Sequence, residues 1–463
     1  MTRLFYPFAI ACVAAIGGFL FGFDTAVING AVIALEHTFD AGAWGVGLSV
    51  SLSLLGAAAG AFFAGGLVER YGRIRCMIGA SVLFFISAIG SGVPFGIYDF
   101  IIWRVIGGFG VGAASIIVPA YIAETAPAAW RGRMGSLQQL AIVIGIFVAL
   151  LSNYAIAAMA GGSAENTLWF DFKAWQWMFW VECIPAALYG ILALFIPESP
   201  RYLVAKQRKQ EAEAVLKRLI PHETVLQKIA DIERTILTER LPQFRDLLAT
   251  ISGKTLLLPI VWVGLGLAAL QQLVGINVIF YYGNVLWQSV GFSEQDSLML
   301  NVLTSVINIL TTLIAIASID KVGRKPLLLI GSIGMFFMLL IMSIFFATAA
   351  IDINGNPILE GSTAVGAVIA ANLYIVFFGM SWGPIMWVML GEMFNNRIRG
   401  AALAVAGLTQ WFANFAVSVT FPSLTQSAGL GGAYGLYAFF AFLSIFFVFK
   451  AIKETKGVEL EDM

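Results

Sequence analysis

Apolar residues gather in long runs, separated by short segments that carry most of the charge. A helix that crosses the hydrocarbon core of a bilayer needs roughly 20 apolar residues. Reading for such runs gives twelve. The first six fall near 6–32, 44–68, 74–93, 97–123, 134–159 and 176–196. The second six fall near 254–290, 298–319, 325–350, 364–393, 400–425 and 431–452. The pattern predicts an all-α membrane protein with twelve transmembrane helices. The first and seventh runs are long enough to be bent or partly unwound. The run after Arg3 is too long for the apolar core of a signal peptide and encloses Asp24, so it reads as a retained first span.

Composition agrees. Of 463 residues, 59% are hydrophobic and 12% charged, against about 25% charged in soluble domains; the mean hydropathy is +0.87. A net charge of zero gives no reason to expect nucleic acid as a partner. Cys12, Cys76 and Cys183 sit in apolar runs and read as packed hydrophobes. With two histidines, His37 and His222, and no Cys/His cluster, no metal and no cofactor are expected. No nucleophile–base pair or phosphate loop suggests an enzyme.

With the loops numbered alternately, every Lys and Arg except Lys173 and the in-span Arg104 falls on one side. The positive-inside rule makes that side cytoplasmic, together with both termini. The long polar stretch 198–253 begins at Pro197-Glu198-Ser199-Pro200-Arg201. It reads as two short amphipathic helices, 201–219 and 224–240, parted by Pro221, serving as a solvated linker or a cytoplasmic latch.

The chain also repeats itself. Glu69-Arg70-Tyr71-Gly72-Arg73 follows the second run and Asp320-Lys321-Val322-Gly323-Arg324 the eighth. Glu124 stands seven residues before Arg131-Gly132, and Glu392 seven before Arg399-Gly400. Two patterns recurring in the same order in matching loops mark a parallel duplication of a six-helix unit. The expected domains are 1–197, a helical linker 198–253, 254–453, and a short tail 454–463.

These residues carry a resemblance. Gly17 to Asp24, Glu69 to Arg73, Pro127 with Arg131-Gly132, and Pro197 to Arg201 match in the first half. Gln271 to Asn277, Asp320 to Pro326, Trp382 to Pro384, Glu392 to Arg399, and Glu454 to Gly457 match in the second. Over nearly its whole length the chain resembles the sugar porters of the major facilitator superfamily, especially their bacterial proton-coupled glucose and xylose symporters. The resemblance implies a hexose and protons as partners, with a monomer embedded in lipid; the lack of any Asn-x-Ser/Thr acceptor and the short loops and tails point to a bacterial inner membrane. A passive facilitator of the same sugars is the alternative. A transporter-like sensor fits less well, because such sensors carry long cytoplasmic tails.

A sugar presents hydroxyls and a weakly apolar ring face, so its site needs amides, hydroxyls and an aromatic wall. Gln138, Gln139, Gln271, Gln272, Asn277, Tyr281, Tyr282, Asn308, Trp387, Gln410, Trp411 and Asn414 lie within runs. Taken one at a time, such amides could equally join helices. The resemblance implies sugar contacts at Gln139, Gln271, Gln272, Asn277, Asn308, Trp387, Gln410 and Asn414, with Phe21 facing the same place. Ile146 stands where the xylose symporter has Gln and glucose facilitators have Ile, which leans toward glucose.

Asp24, Arg104 and Glu182 are ionisable residues inside runs, where burial is costly. They form either a structural ion pair or a proton switch. The resemblance favours the switch, since proton-coupled members carry an acid at both positions. A cytoplasmic gate is expected from Glu69, Arg70, Arg73, Glu124, Arg131 and Arg133 in one half. Its other side would be Asp320, Arg324, Glu392, Arg397 and Arg399. The bland reading is solvated loop charge.

Overall fold

The computed structural model describes residues 2–127, 130–238, 244–251, 254–351, 357–394 and 398–454. Among these, ten helical stretches are long and apolar enough to cross a membrane, from Phe5–Gly30 to Arg399–Ala451. Two further crossings are present. The 53-residue helix Arg399–Ala451 contains Gly429 at φ 69°, ψ 173°, a backbone region open essentially to glycine alone, so it is two spans meeting there. The sixth span is split into Ala174–Trp180 and Cys183–Ala193. Twelve spans result, as the apolar pattern predicts.

Breaks inside spans fall where the covalent chemistry requires them. A proline ring clashes with the carbonyl four residues earlier and supplies no N–H. Pro185 thus opens the sixth span at Val181-Glu182, where Glu182 N donates to Phe179 O at 3.1 Å and Ile184 N to Val181 O at 3.1 Å. Pro384 in the same way parts the tenth span into Gly361–Gly379 and Trp382–Met393. The seventh span breaks between Pro259–Leu273 and Ile276–Gln288 at Gly275, which adopts φ 81°, ψ 20°. The first span, Thr2–Val27, runs into a 3-10 turn, Ile28–Gly30, and a further helix, Val32–Phe39. The two runs expected to bend therefore do so.

The central segment holds more pieces than its sequence pattern suggested. Helix Pro200–Ala205 is capped by the Ser199 side chain. It stops at Gln207, whose φ is 60°, and Lys209–Leu219 and Val225–Thr238 follow. Leu203, Val204, Ala212, Leu216, Val225 and Ile229 bury a shared core, and Lys209 pairs with Glu233. The seventh apolar run starts near 254, but Lys254–Leu257 is a strand paired antiparallel with Leu248–Ile251, and the helix starts at Pro259, a residue suited to the first helical position.

The chain forms two compact units. One comprises Met1–Thr25, Leu55–Ala149 and Gln176–Leu241; the other comprises Ala26–Leu54, Leu150–Trp175 and Pro242–Met463. These units cut through the first, second, fifth and sixth spans, unlike the sequence repeat. In the first unit, glycines bring backbones together. A Cβ at Gly22 would collide with the Ile142 carbonyl, one at Gly145 with that of Phe19, and one at Gly112 with that of Ala57. Close helix packing is therefore what Gly112 serves.

Candidate functional site

In the first unit, Asp24, Arg104 and Glu182 are each 1% exposed. Arg104 donates from Nη1 to Asp24 Oδ1 at 2.8 Å and from Nη2 to the Asp24 carbonyl at 2.8 Å. Its guanidinium also lies 5.7 Å from the Phe179 ring centroid. Gly107 makes room for the pair: a Cβ there would stand 3.0 Å from Asp24 Oδ1 and collide with Ser87 Oγ. Glu182 sits at the break that Pro185 forces, within electrostatic reach of both partners. Asp24 Oδ2, Arg104 Nε and Glu182 Oε1 are buried without hydrogen bonds. Two carboxyls thus share one guanidinium in a cluster that is neutral when it holds one proton. Phe21 and Gln139 are half-buried in the same unit.

In the second unit, the amides form a chain. Asn277 Nδ2 donates to Gln272 Oε1 at 2.6 Å, and Gln272 Nε2 to Gln271 Oε1 at 3.0 Å. Gln410 Nε2 donates to the same Gln271 oxygen at 3.2 Å, while Gln271 Nε2 reaches the Trp382 carbonyl at 3.2 Å. Asn414 Nδ2 donates to Tyr281 Oη at 3.3 Å and accepts from Ser418 Oγ at 3.2 Å. The break at Gly275 makes the first link possible, because it places Gln272 and Asn277 at the ends of two helix segments. Tyr374 Oη donates to the Val274 carbonyl at 2.8 Å, satisfying a group the break exposes. Asn308 is buried, and its carbonyl accepts from Thr311 and Thr312. Trp387 is 42% exposed and joins no part of the amide chain in these contacts.

The charged loops also form ordered structure. Arg73 pairs with Glu124 at 2.6 Å and Arg324 with Glu392 at 2.9 Å, the same interhelical pair in the two repeats. Each lies within one unit. Two residues that lie in the matching motifs of the sequence, but to which it assigns no role, complete the pattern. Glu198 accepts from the backbone N–H groups of Arg73 and Ile74 at 3.0 and 3.2 Å. Glu454 accepts from those of Arg324 and Lys325, both at 3.0 Å. Each carboxylate caps the positive end of a helix. Ser199 Oγ also donates to Glu124 at 2.5 Å. Glu69 and Arg70 are exposed, and Arg399 Nε donates to the Phe394 carbonyl at 3.1 Å. Arg397 lies outside the described residues, as do the side chains of Arg131, Arg133 and Asp320.

These caps depend on Gly72 and Gly323, at φ 94°, ψ 168° and φ 105°, ψ 161°. A Cβ at Gly323 would stand 2.8 Å from Glu454 Oε2, and one at Gly72 would collide with Glu198 Oε2. Gly323→Ala is expected to cost about 1–3 kcal/mol for the backbone conformation alone. Thermal unfolding of the purified protein in detergent measures this; an unchanged melting temperature would remove the cap from the account.

A further polar cluster in the second unit escaped the sequence reading. Asn29 Nδ2 donates to the Phe280 carbonyl at 2.8 Å, and Asn301 Nδ2 donates to Asn29 Oδ1 at 3.2 Å and to the Ser297 carbonyl at 2.9 Å. Asn153 Nδ2 donates to the Val27 carbonyl at 2.9 Å. The Ala164 N–H donates to Glu294 Oε1 at 2.8 Å. Buried amides such as these could have been suspected from their apolar neighbours, but their partners lie too far away in sequence to be read.

A duplicated set of six spans, broken helices carrying a chain of amides, and a buried acid–base cluster together define a secondary transporter. The model of the sugar (and other) transporter family matches residues 10–463, and the chain belongs to that family, within the major facilitator superfamily. It is 60% identical over 454 residues to a glucose transport protein of Synechocystis, covering 98% of this chain and 96% of that one. It is 35% identical over 490 residues to the D-xylose-proton symporter of Escherichia coli, covering 99% and 95%. Among solved structures, the xylose transporter XylE of E. coli in an inward open conformation matches with a TM-score of 0.83 at 35% identity, covering 99% of both chains.

Proposed function

We propose that this multi-pass membrane protein is a sugar:proton symporter that carries a hexose, foremost glucose, by alternating access. The observation that carries the reading is the amide chain Asn277–Gln272–Gln271–Gln410. Amides that both donate and accept can exchange their mutual bonds for those of sugar hydroxyls. Gln271, Gln272, Asn277, Asn308, Gln410 and Asn414 take the hydroxyls and Trp387 supplies an aromatic face, and the family resemblance adds Phe21 and Gln139 to the sugar contacts. The 60% identity to a protein named for glucose transport supports the choice of hexose. The Asp24–Arg104–Glu182 cluster and the likeness to a D-xylose-proton symporter support coupling.

The two six-helix halves act as the moving bodies and the residues 198–253 as a cytoplasmic bracket. The Arg73–Glu124 and Arg324–Glu392 pairs, with the remaining gate residues named above, stiffen the cytoplasmic ends on which closure depends. The protein works as a monomer in a bacterial inner membrane, with both termini in the cytoplasm, and it carries its substrate without chemical change. The test is uptake of labelled glucose into proteoliposomes under an imposed proton gradient, with unlabelled glucose, galactose, xylose and inositol as competitors. Glucose should compete best, and uptake should collapse with a protonophore. Equal competition by all four sugars sinks the substrate assignment. Uptake indifferent to the protonophore makes the chain a facilitator.

A further inference from the structure

Between the fifth and sixth spans the chain makes a small hairpin. Thr167 bridges to Lys173, Leu168 N donates to the Phe172 carbonyl at 2.8 Å, and Phe172 N to the Trp169 carbonyl at 3.1 Å. The two central residues of that turn, Phe170 and Asp171, have φ values of 54° and 62°. Two positive values in succession make a type I′ turn, which calls for Asn, Asp or Gly at both places. Asp171 obeys. Phe170 does not, and a bulky side chain at positive φ is an outlier that the backbone resists. Its ring is 85% exposed, and neighbouring Trp169 is 48% exposed. Exposing two large aromatic side chains to water is unfavourable.

The base of the hairpin is held firmly. Ala174 N donates to the Asn166 carbonyl and Trp175 N to the Ala164 carbonyl, both at 2.9 Å. Lys173 Nζ donates to Thr38 Oγ1 at 3.3 Å. Its depth follows from helix geometry. The sixth span, Ala174–Trp180 with Cys183–Ala193, rises about 30 Å at helical pitch, which matches the hydrocarbon thickness of about 30 Å. The hairpin therefore leaves the sixth span where the hydrocarbon gives way to headgroups. Aromatic rings, Trp above all, collect in that zone, because it accepts an apolar body and a polar edge together.

We propose that the hairpin Thr167–Lys173 is a membrane-surface anchor, with Trp169 and Phe170 seated at the headgroup–acyl boundary of the adjoining lipid leaflet. The strained turn then aims two rings sideways into lipid from a base fixed to the protein.

A nitroxide at Phe170→Cys, in a background with Cys12, Cys76 and Cys183 replaced by Ala, reads this directly. In proteoliposomes the label should collide with oxygen several-fold more often than with a water-soluble nickel chelate. Lipids brominated near the headgroup should also quench Trp169 fluorescence, taken as the difference between the parent and Trp169→Phe. Phe170→Asn suits the left-handed backbone better, so it keeps the turn and should reduce that quenching. A label that meets the nickel chelate as freely in vesicles as in water overturns the proposal. So does Trp169 emission untouched by brominated lipid, or broadening between labels that shows the tip packed against a second copy of the chain.

Discussion

Asp24→Asn should abolish accumulation of sugar against a gradient while leaving exchange of sugar across the membrane intact. Asn keeps an oxygen to accept from Arg104 Nη1 where Asp24 Oδ1 does so at 2.8 Å, but it cannot take up or release a proton. Removing one partner of a buried pair commonly costs 3–5 kcal/mol. Here Glu182 remains in the same buried cluster to balance the guanidinium, so the fold should survive. The energy that would be lost is large: one charge moving through about 100 mV is worth roughly 2.3 kcal/mol, or close to 50-fold accumulation. Proteoliposomes with an imposed pH gradient and potential measure it. The parent should concentrate glucose and make the outside more alkaline, whereas the variant should show counterflow alone. Accumulation by the variant would transfer the proton-carrying role to Glu182. A parent that only equilibrates sugar would make the Asp24–Arg104 pair structural.

Gln272→Ala should weaken sugar binding by about 1–3 kcal/mol, the cost of leaving buried polar groups unpaired, or roughly 5- to 150-fold in affinity. The substitution cuts the amide chain in the middle, orphaning Asn277 Nδ2 on one side and removing a donor to Gln271 Oε1 on the other. The seventh span should keep its shape, since its break is set by Gly275 and by the Tyr374 hydroxyl on the Val274 carbonyl. Calorimetry on the purified variant, with thermal unfolding alongside, decides the matter. Parent-like affinity at parent-like stability would take Gln272 out of the site.

The twelve spans could be read from the sequence because burial in lipid is a property of each run by itself. Local breaks were legible in part. The length of the seventh run signalled its break, whereas Pro185 and Pro384 carried the same information through the carbonyls four residues behind them. The strand at Lys254–Leu257 was hidden because its leucines continue the apolar run of the seventh span; Pro259 was the cue. The amides and the three buried ionisable residues stood out because such groups are rare in apolar runs. What no local pattern could supply was pairing at long range. Glu198 reaches back 125 residues to Arg73, Glu454 reaches back 130 to Arg324, and Asn301 meets Asn29 across 272. Those contacts exist only once the helices are packed.

The self-bonded amide chain has a kinetic consequence. Asn277, Gln272, Gln271 and Gln410 are already bonded to one another before any sugar arrives, with Gln410 Oε1 left over as an open acceptor. At the proposed site a hexose would displace bonds of the kind it forms, and each exchange would net little of the strength of an isolated hydrogen bond. Such a site would keep affinity modest, and the same partners would re-form behind the departing solute. A receptor built this way would hold its ligand poorly; a carrier gains turnover, because the chain resets itself each time the sugar leaves.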